Sequence, residues 1–117
     1  MNEALIIETG KQLIAKLVET GYEKTYDNHG NGFRTVLLTA CIGDFIHVVG
    51  LEISDSDPLL DEISIRSFYR DEQDRMLDLL KEVEDTGRLP EEMRKNANHV
   101  YNTALIDGRL YECQDWI

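Results

Sequence analysis

Two apolar runs joined by a tight turn constrain this chain more than anything else in it. Phe33 to Cys41 reads FRTVLLTAC and Phe45 to Ile53 reads FIHVVGLEI, both dense in the β-branched and aromatic residues that fit a pleated surface. Between them Ile42-Gly43-Asp44 supplies turn residues, so an antiparallel hairpin over 33–53 is the default. Alternation puts Phe45, His47, Val49 and Leu51 on one face and Ile46, Val48 and Ile53 on the other, with a bulge expected at Gly50. Both faces are apolar at the centre. A strand pair of that kind must be covered on both sides, which places the hairpin in the middle of a sheet between helices.

The flanking sequence offers those helices. From Asn2 to Thr20, Leu5, Ile6, Leu13, Ile14, Leu17 and Val18 mark one face of a 3.6-residue period, with Gly10 as an interruption and Gly21 as a left-handed cap. A second helix opens at Asp71 and runs to about Asp85, burying Met76, Leu77, Leu79, Leu80 and Val83 before Thr86-Gly87 ends it. Pro90 suits the first turn of a third, with Glu91 and Glu92 favourable against its dipole. Its apolar face continues through Met93, Ala97, Val100, Tyr101, Ala104 and Leu105 to near Gly108. Glu62 to Phe68 alternates as a third strand. Tyr22 to Gly32 is polar and turn-rich and reads as an exposed loop, with at most a short edge strand over Tyr22 to Tyr26. The expected fold is α+β: an N-terminal helix, an antiparallel sheet of about three strands around the 33–53 hairpin, and two C-terminal helices. With 117 residues, 42% of them hydrophobic, residues 1–117 are expected to close one core as a single compact domain.

Charge carries the functional argument. The chain holds 23 acids against 12 bases, a net of −11. From Met1 to Gly50 there are six acids and four bases, from Leu51 to Glu92 fourteen and five, and in the last 25 residues three and three. The excess therefore sits on one segment: on the loop at Asp55, Asp57, Asp61 and Glu62, and on the helix bearing Asp71, Glu72, Asp74, Asp78, Glu82, Glu84 and Asp85. A nucleic-acid or anionic-membrane binder needs a basic footprint, so direct contact with either is not expected. A solvated face that keeps the protein in solution is the plain reading of such a run. The functional reading is a docking surface for a basic protein, since complementary potential speeds encounter and fixes register.

Other chemistry finds little footing. Asp55-Ser-Asp57-Pro-Leu-Leu-Asp61-Glu62 has the alternating acids of a calcium loop, but Pro58 stands at the fourth place and Leu60 at the sixth, where that loop needs a glycine. His29, His47 and His99 belong to no spaced ligand motif, and the chain has no GxSxG and no Walker loop. The two cysteines, Cys41 and Cys113, form no CxxC; Cys41 reads as a buried strand residue and Cys113 as a half-buried helix-end residue. So few cysteines point to a reducing, cytoplasmic setting. No metal, cofactor or catalytic residue is expected, and the protein is read as a non-enzyme.

Two functions from different classes remain. The first is a small acidic inhibitor of a nucleic-acid-acting partner, as an immunity protein or a viral antagonist of a host nuclease or defence complex. It would bind a basic protein through Asp55, Asp57, Asp61, Asp71, Glu72, Asp74, Asp78 and Glu82, with Tyr22, Tyr26, His29 and Phe33 as a secondary contact loop. A homodimer is compatible with it. The second is a small-molecule or nucleotide-binding regulatory domain that uses the 22–33 loop and the hairpin. An enclosed pocket lined by Tyr22, Tyr26, His29 and Phe33 would favour the second, and a convex acidic face the first. No motif is specific enough to place the chain in a family.

Overall fold

The computed structural model describes residues 5–7, 9–30, 32–95, 97–100, 103–106 and 109–112. In chain order its elements are β1 (Leu5–Ile7), α1 (Gly10–Glu19), β2 (Glu23–Gly30), β3 (Phe33–Ile42), β4 (Phe45–Ser54), β5 (Glu62–Tyr69), α2 (Gln73–Thr86), α3 (Glu91–Arg94), β6 (Asn98–His99), β7 (Thr103–Ile106) and β8 (Arg109–Glu112). Short 3₁₀ turns lie at Pro58–Leu60 and Arg70–Glu72. The main sheet has the order β2-β3-β4-β5-β6 and is antiparallel throughout. A second antiparallel sheet has the order β1-β7-β8. The class is α+β, with four long strands in the main sheet rather than about three and the two-residue β6 at its edge.

The central hairpin forms as its composition dictates. Ile42 pairs with Phe45 across Gly43 and Asp44, and Gly43 takes φ 60°, a value that costs a glycine little. Both faces are covered. Leu13, Ile14 and Leu17 of α1 meet Val36, Leu38, Val49, Leu51, Ile53 and Ile63 on one. Met76, Leu79 and Val83 of α2, with Leu89 and Met93, meet Leu37, Ile46, Val48 and Phe68 on the other. Gly50 makes no bulge: it pairs regularly with Leu37 and Ser64, and Ile53 keeps the face of Val49 and Leu51. The glycine answers a packing need instead, because a Cβ there would sit 2.8 Å from Leu89 Cδ2.

Four local expectations give way to tertiary contacts. The N-terminal helix starts at Gly10, where the Thr9 hydroxyl accepts from Gln12 N–H, and Leu5–Ile7 is instead a strand paired with β7. Thr20 is its cap residue, and Gly21 follows at φ 111°. The expected loop over 22–32 is the edge strand β2, bonded to β3 from Glu23 through Gly30 with one irregularity at Lys24/Tyr26. The third helix lasts four residues; beyond it the chain returns to the sheets as β6 and β7, so Val100 enters the α1-side core and no helix runs to Leu105. Cys41 is exposed, not buried. Tyr101, Gly108, Cys113, Trp116 and Ile117 lie outside the described residues.

Candidate functional site

The fourteen acids of the 51–92 segment divide sharply once folded. Asp61 is 2% exposed, reaching the surface only at the lining of the cleft beside α1. Its Oδ2 accepts from Gly10 N–H at 3.1 Å, its Oδ1 from Ser54 N–H at 2.8 Å, and its carbonyl from Val100 N–H at 3.1 Å. It thus ties the start of α1 and the end of β4 to the strand-ward return of the chain. Asp61 is structural, and the expectation that it meets a partner is corrected. Glu52 is likewise buried, and its carboxylate receives Arg88 Nε at 2.8 Å and Nη2 at 3.2 Å. Glu72 accepts from Tyr69 N–H at 3.0 Å and pairs with Arg75 at 2.6 Å, which hold its carboxyl below the usual range, the backbone bond first.

Asp55 and Asp57 lie on the β4–β5 connection beside the start of α1. There they line an open cleft of about 230 Å³ with Thr9, Lys11, Ser54 and Ser56. Asp55 is partnered by His29 Nε2 at 2.6 Å. Asp71, Asp74, Asp78 and Glu82 sit on the α2 side, against the opposite face of the sheet. So the predicted acidic surface is two surfaces, and α2 carries the larger.

On that helix the geometry is regular. Met76, Leu79 and Val83 face the core, which leaves Asp74, Asp78, Glu82 and Asp85 outward. At 1.5 Å rise per residue, Asp74, Asp78 and Glu82 repeat about every 6 Å along one ridge. Among the described residues no cation lies within ion-pair distance of Asp71, Asp74, Asp78, Glu82, Glu84 or Asp85. Asp78 and Glu82 also border an open groove of about 250 Å³ floored by Phe68 and Leu79, where Arg66 pairs with Glu92 at 3.0 Å.

The four residues of the expected contact loop do not come together. Tyr22 packs on the α1-side core, where burial raises its hydroxyl pKa, and Tyr26 packs on the α2 side. Phe33 lies beneath the Arg88 guanidinium, 5.2 Å from its ring centre, and His29 is engaged with Asp55. None of the four lines either of the two clefts described above. Among the described residues no three His, Cys, Asp or Glu side chains are placed to hold a metal, and no helix is long and apolar enough to cross a membrane. What the sequence did not expose was the buried pair Glu52–Arg88 and the hub at Asp61. A carboxylate inside an otherwise apolar strand, as in FIHVVGLEI, was the one signal pointing at Glu52.

Comparison with known protein families, characterised proteins and solved structures finds no match to this chain.

Proposed function

We propose that the protein is a non-enzymatic acidic binding protein that docks a basic macromolecule through the outer face of α2. The observation that carries the reading is the run of exposed carboxylates at Asp71, Asp74, Asp78, Glu82, Glu84 and Asp85, none of them in an ion pair among the described residues, although Lys81 shares the helix and Arg66 and Arg75 line the groove beside Asp78 and Glu82. By contrast, Asp27, Glu52 and Glu72 are ion-paired, and Asp55 is hydrogen-bonded to His29. Like charges along one helix cost some stability, except at Asp74, which stands in the first turn where the helix dipole favours an acid. The basic cleft of a nuclease or of a nucleic-acid-binding complex, a preorganised array of Lys and Arg, is the complementary surface. The mechanism is inhibition by occupying that cleft in the cytoplasm, as an immunity protein or a viral antagonist does.

The test uses D78K/E82K/D85K. Glu82 and Asp85 lie toward the C-terminal end of α2, where cations suit the helix dipole, and an unchanged thermal midpoint in the variant separates lost binding from lost folding. Capture from the native host is expected to yield a basic nucleic-acid-acting protein with the natural chain and none with the variant. Titrating that protein with its nucleic acid and this chain should show one-for-one displacement that weakens with salt. Undiminished capture by the variant removes α2 from the interface. Co-migration of all three components at saturation overturns competition in favour of allosteric inhibition.

A further inference from the structure

The sheet face that α1 covers is covered only in part. Its buried residues gather toward the Ile53 end, and toward the Gly43 turn the same face is exposed at Ile42, Phe45 and Tyr69. Register aligns Ile42, Phe45 and Tyr69 side by side across β3, β4 and β5, with Ile65 two rows further along beside Val49. Their exposures are 47, 37, 56 and 52%, high for side chains of this size on a sheet. Phe45 and Tyr69 stack with ring centres 4.8 Å apart. In the row between, His47 Nδ1 and Ser67 Oγ share a hydrogen bond of 2.9 Å, which satisfies that polar pair from within. No charged residue occupies this face of the three strands between Ile42 and Ile65. A contiguous apolar patch inside a charged rim marks an interaction surface.

The rim says what covers it. Asp44 adjoins Phe45 and Arg70 adjoins Tyr69, and Arg70 N–H donates to the Asp44 carbonyl at 3.0 Å, which fixes the two positions next to each other. Both side chains are exposed, and among the described residues neither makes an ion pair. A patch with one free acid and one free base on its rim is its own complement under a twofold axis, each Asp44 meeting the other copy's Arg70. A basic partner finds no such match here, because the uncompensated carboxylates of α2 lie across the sheet. The same separation keeps the two acidic helices of a face-to-face pair on its outer sides.

We infer that this face docks a second copy of the chain, through Ile42, Phe45, Ile65 and Tyr69 with Asp44–Arg70 pairs at the rim. Four large side chains about half exposed present on the order of 400 Å². That is short of the roughly 800 Å² per partner of a standard stable interface, so the dimer is weak and in exchange with monomer.

Sedimentation equilibrium of the full chain, from micromolar to millimolar concentration, reads the result. The natural protein is expected to pass from monomer to dimer in that range. I65D, at a position already half in water, should raise the dimer dissociation constant at least about tenfold while the thermal midpoint stays put. D44R and R70D should each weaken self-association, and an equimolar mixture of the two should restore it, since only the mixed pair re-forms both rim contacts. A protein that stays monomeric to millimolar concentration overturns the inference. So does a dimer indifferent to I65D, or a mixture no better associated than its components.

Discussion

Arg88, on the connection between α2 and α3, clasps Glu52 at the centre of the sheet with two hydrogen bonds, of 2.8 and 3.2 Å, across 36 positions of sequence. Glu52 is 4% exposed and stands opposite Glu62, so its charge is bearable only with that guanidinium present. The pairing in turn raises the Arg88 pKa, first through the hydrogen bond to Glu52. R88M should therefore destabilise the fold by about 2 kcal/mol, the low end for a broken buried pair because Arg88 itself is partly in water. E52Q/R88M should recover at least half of that loss in urea denaturation. A double variant as unstable as R88M alone would show that the stacking of the Arg88 guanidinium on Phe33 matters more than its pairing with Glu52.

Acid titration isolates a second pair. Arg34 donates to Asp27 at 2.8 and 2.7 Å and Lys24 adds a bond of 2.9 Å, which together hold the Asp27 carboxyl far below its ordinary range, Arg34 foremost. A carboxyl whose folded pKa is depressed adds stability above its unfolded value and loses it as pH falls through the folded one. D27N should therefore cost at most about 1 kcal/mol at neutral pH, as for a surface pair. The gap to the natural protein should narrow steadily as pH drops below about 4. A gap independent of pH would refute the assignment.

Asp61 offers a second buried polar change of comparable cost. Both carboxylate oxygens accept backbone N–H groups, and an asparagine would point an NH₂ at one of those donors. D61N should cost about 2 kcal/mol through one unsatisfied buried donor. Amide exchange at Gly10 or Ser54 should accelerate with it. G10A should strain the same junction, since its Cβ would lie 2.7 Å from Ile53 Cγ1 and 3.2 Å from Asp61 Oδ2.

Gly50 and Leu89 are coupled by close approach. G50A should cost roughly 1–3 kcal/mol by overpacking, because its Cβ would meet Leu89 Cδ2 at 2.8 Å and Leu37 Cδ2 at 3.3 Å. L89A removes the first clash. In a double-mutant cycle G50A should therefore be far milder in the L89A background than alone. Strict additivity would mean that the glycine serves strand conformation rather than helix-side packing.

The pattern of apolar residues determined the centre of this protein by itself. The 33–53 hairpin, the strand from Glu62 and the two-sided burial of the sheet follow from local period, as do Leu13, Ile14 and Leu17 of α1 and Met76, Leu79 and Val83 of α2, whereas Val18 and Leu77, read on the same stripes, are each 49% exposed. The net charge and its concentration on Leu51 to Glu92 were equally plain. Which of those acids face outward was not, since an aspartate reads alike in any segment whether or not it is buried. Asp61 and Glu52 are fixed by donors 51 and 36 positions away, and only the fold brings these to them. Edge strand β2 escaped because it is exposed on nearly all its length and is held by backbone bonds to β3, which leave no hydropathy signal. The run after Pro90 carries a helical period yet forms β6 and β7. There the pairing of Ile63 with Asn98 and of Leu5 with Leu105 outweighs propensity, and the entry of Val100 into the α1-side core adds to it. Local period fixes an element that carries its own apolar stripe; where backbone pairing or a buried charge holds an element in place, only the assembled sheet decides.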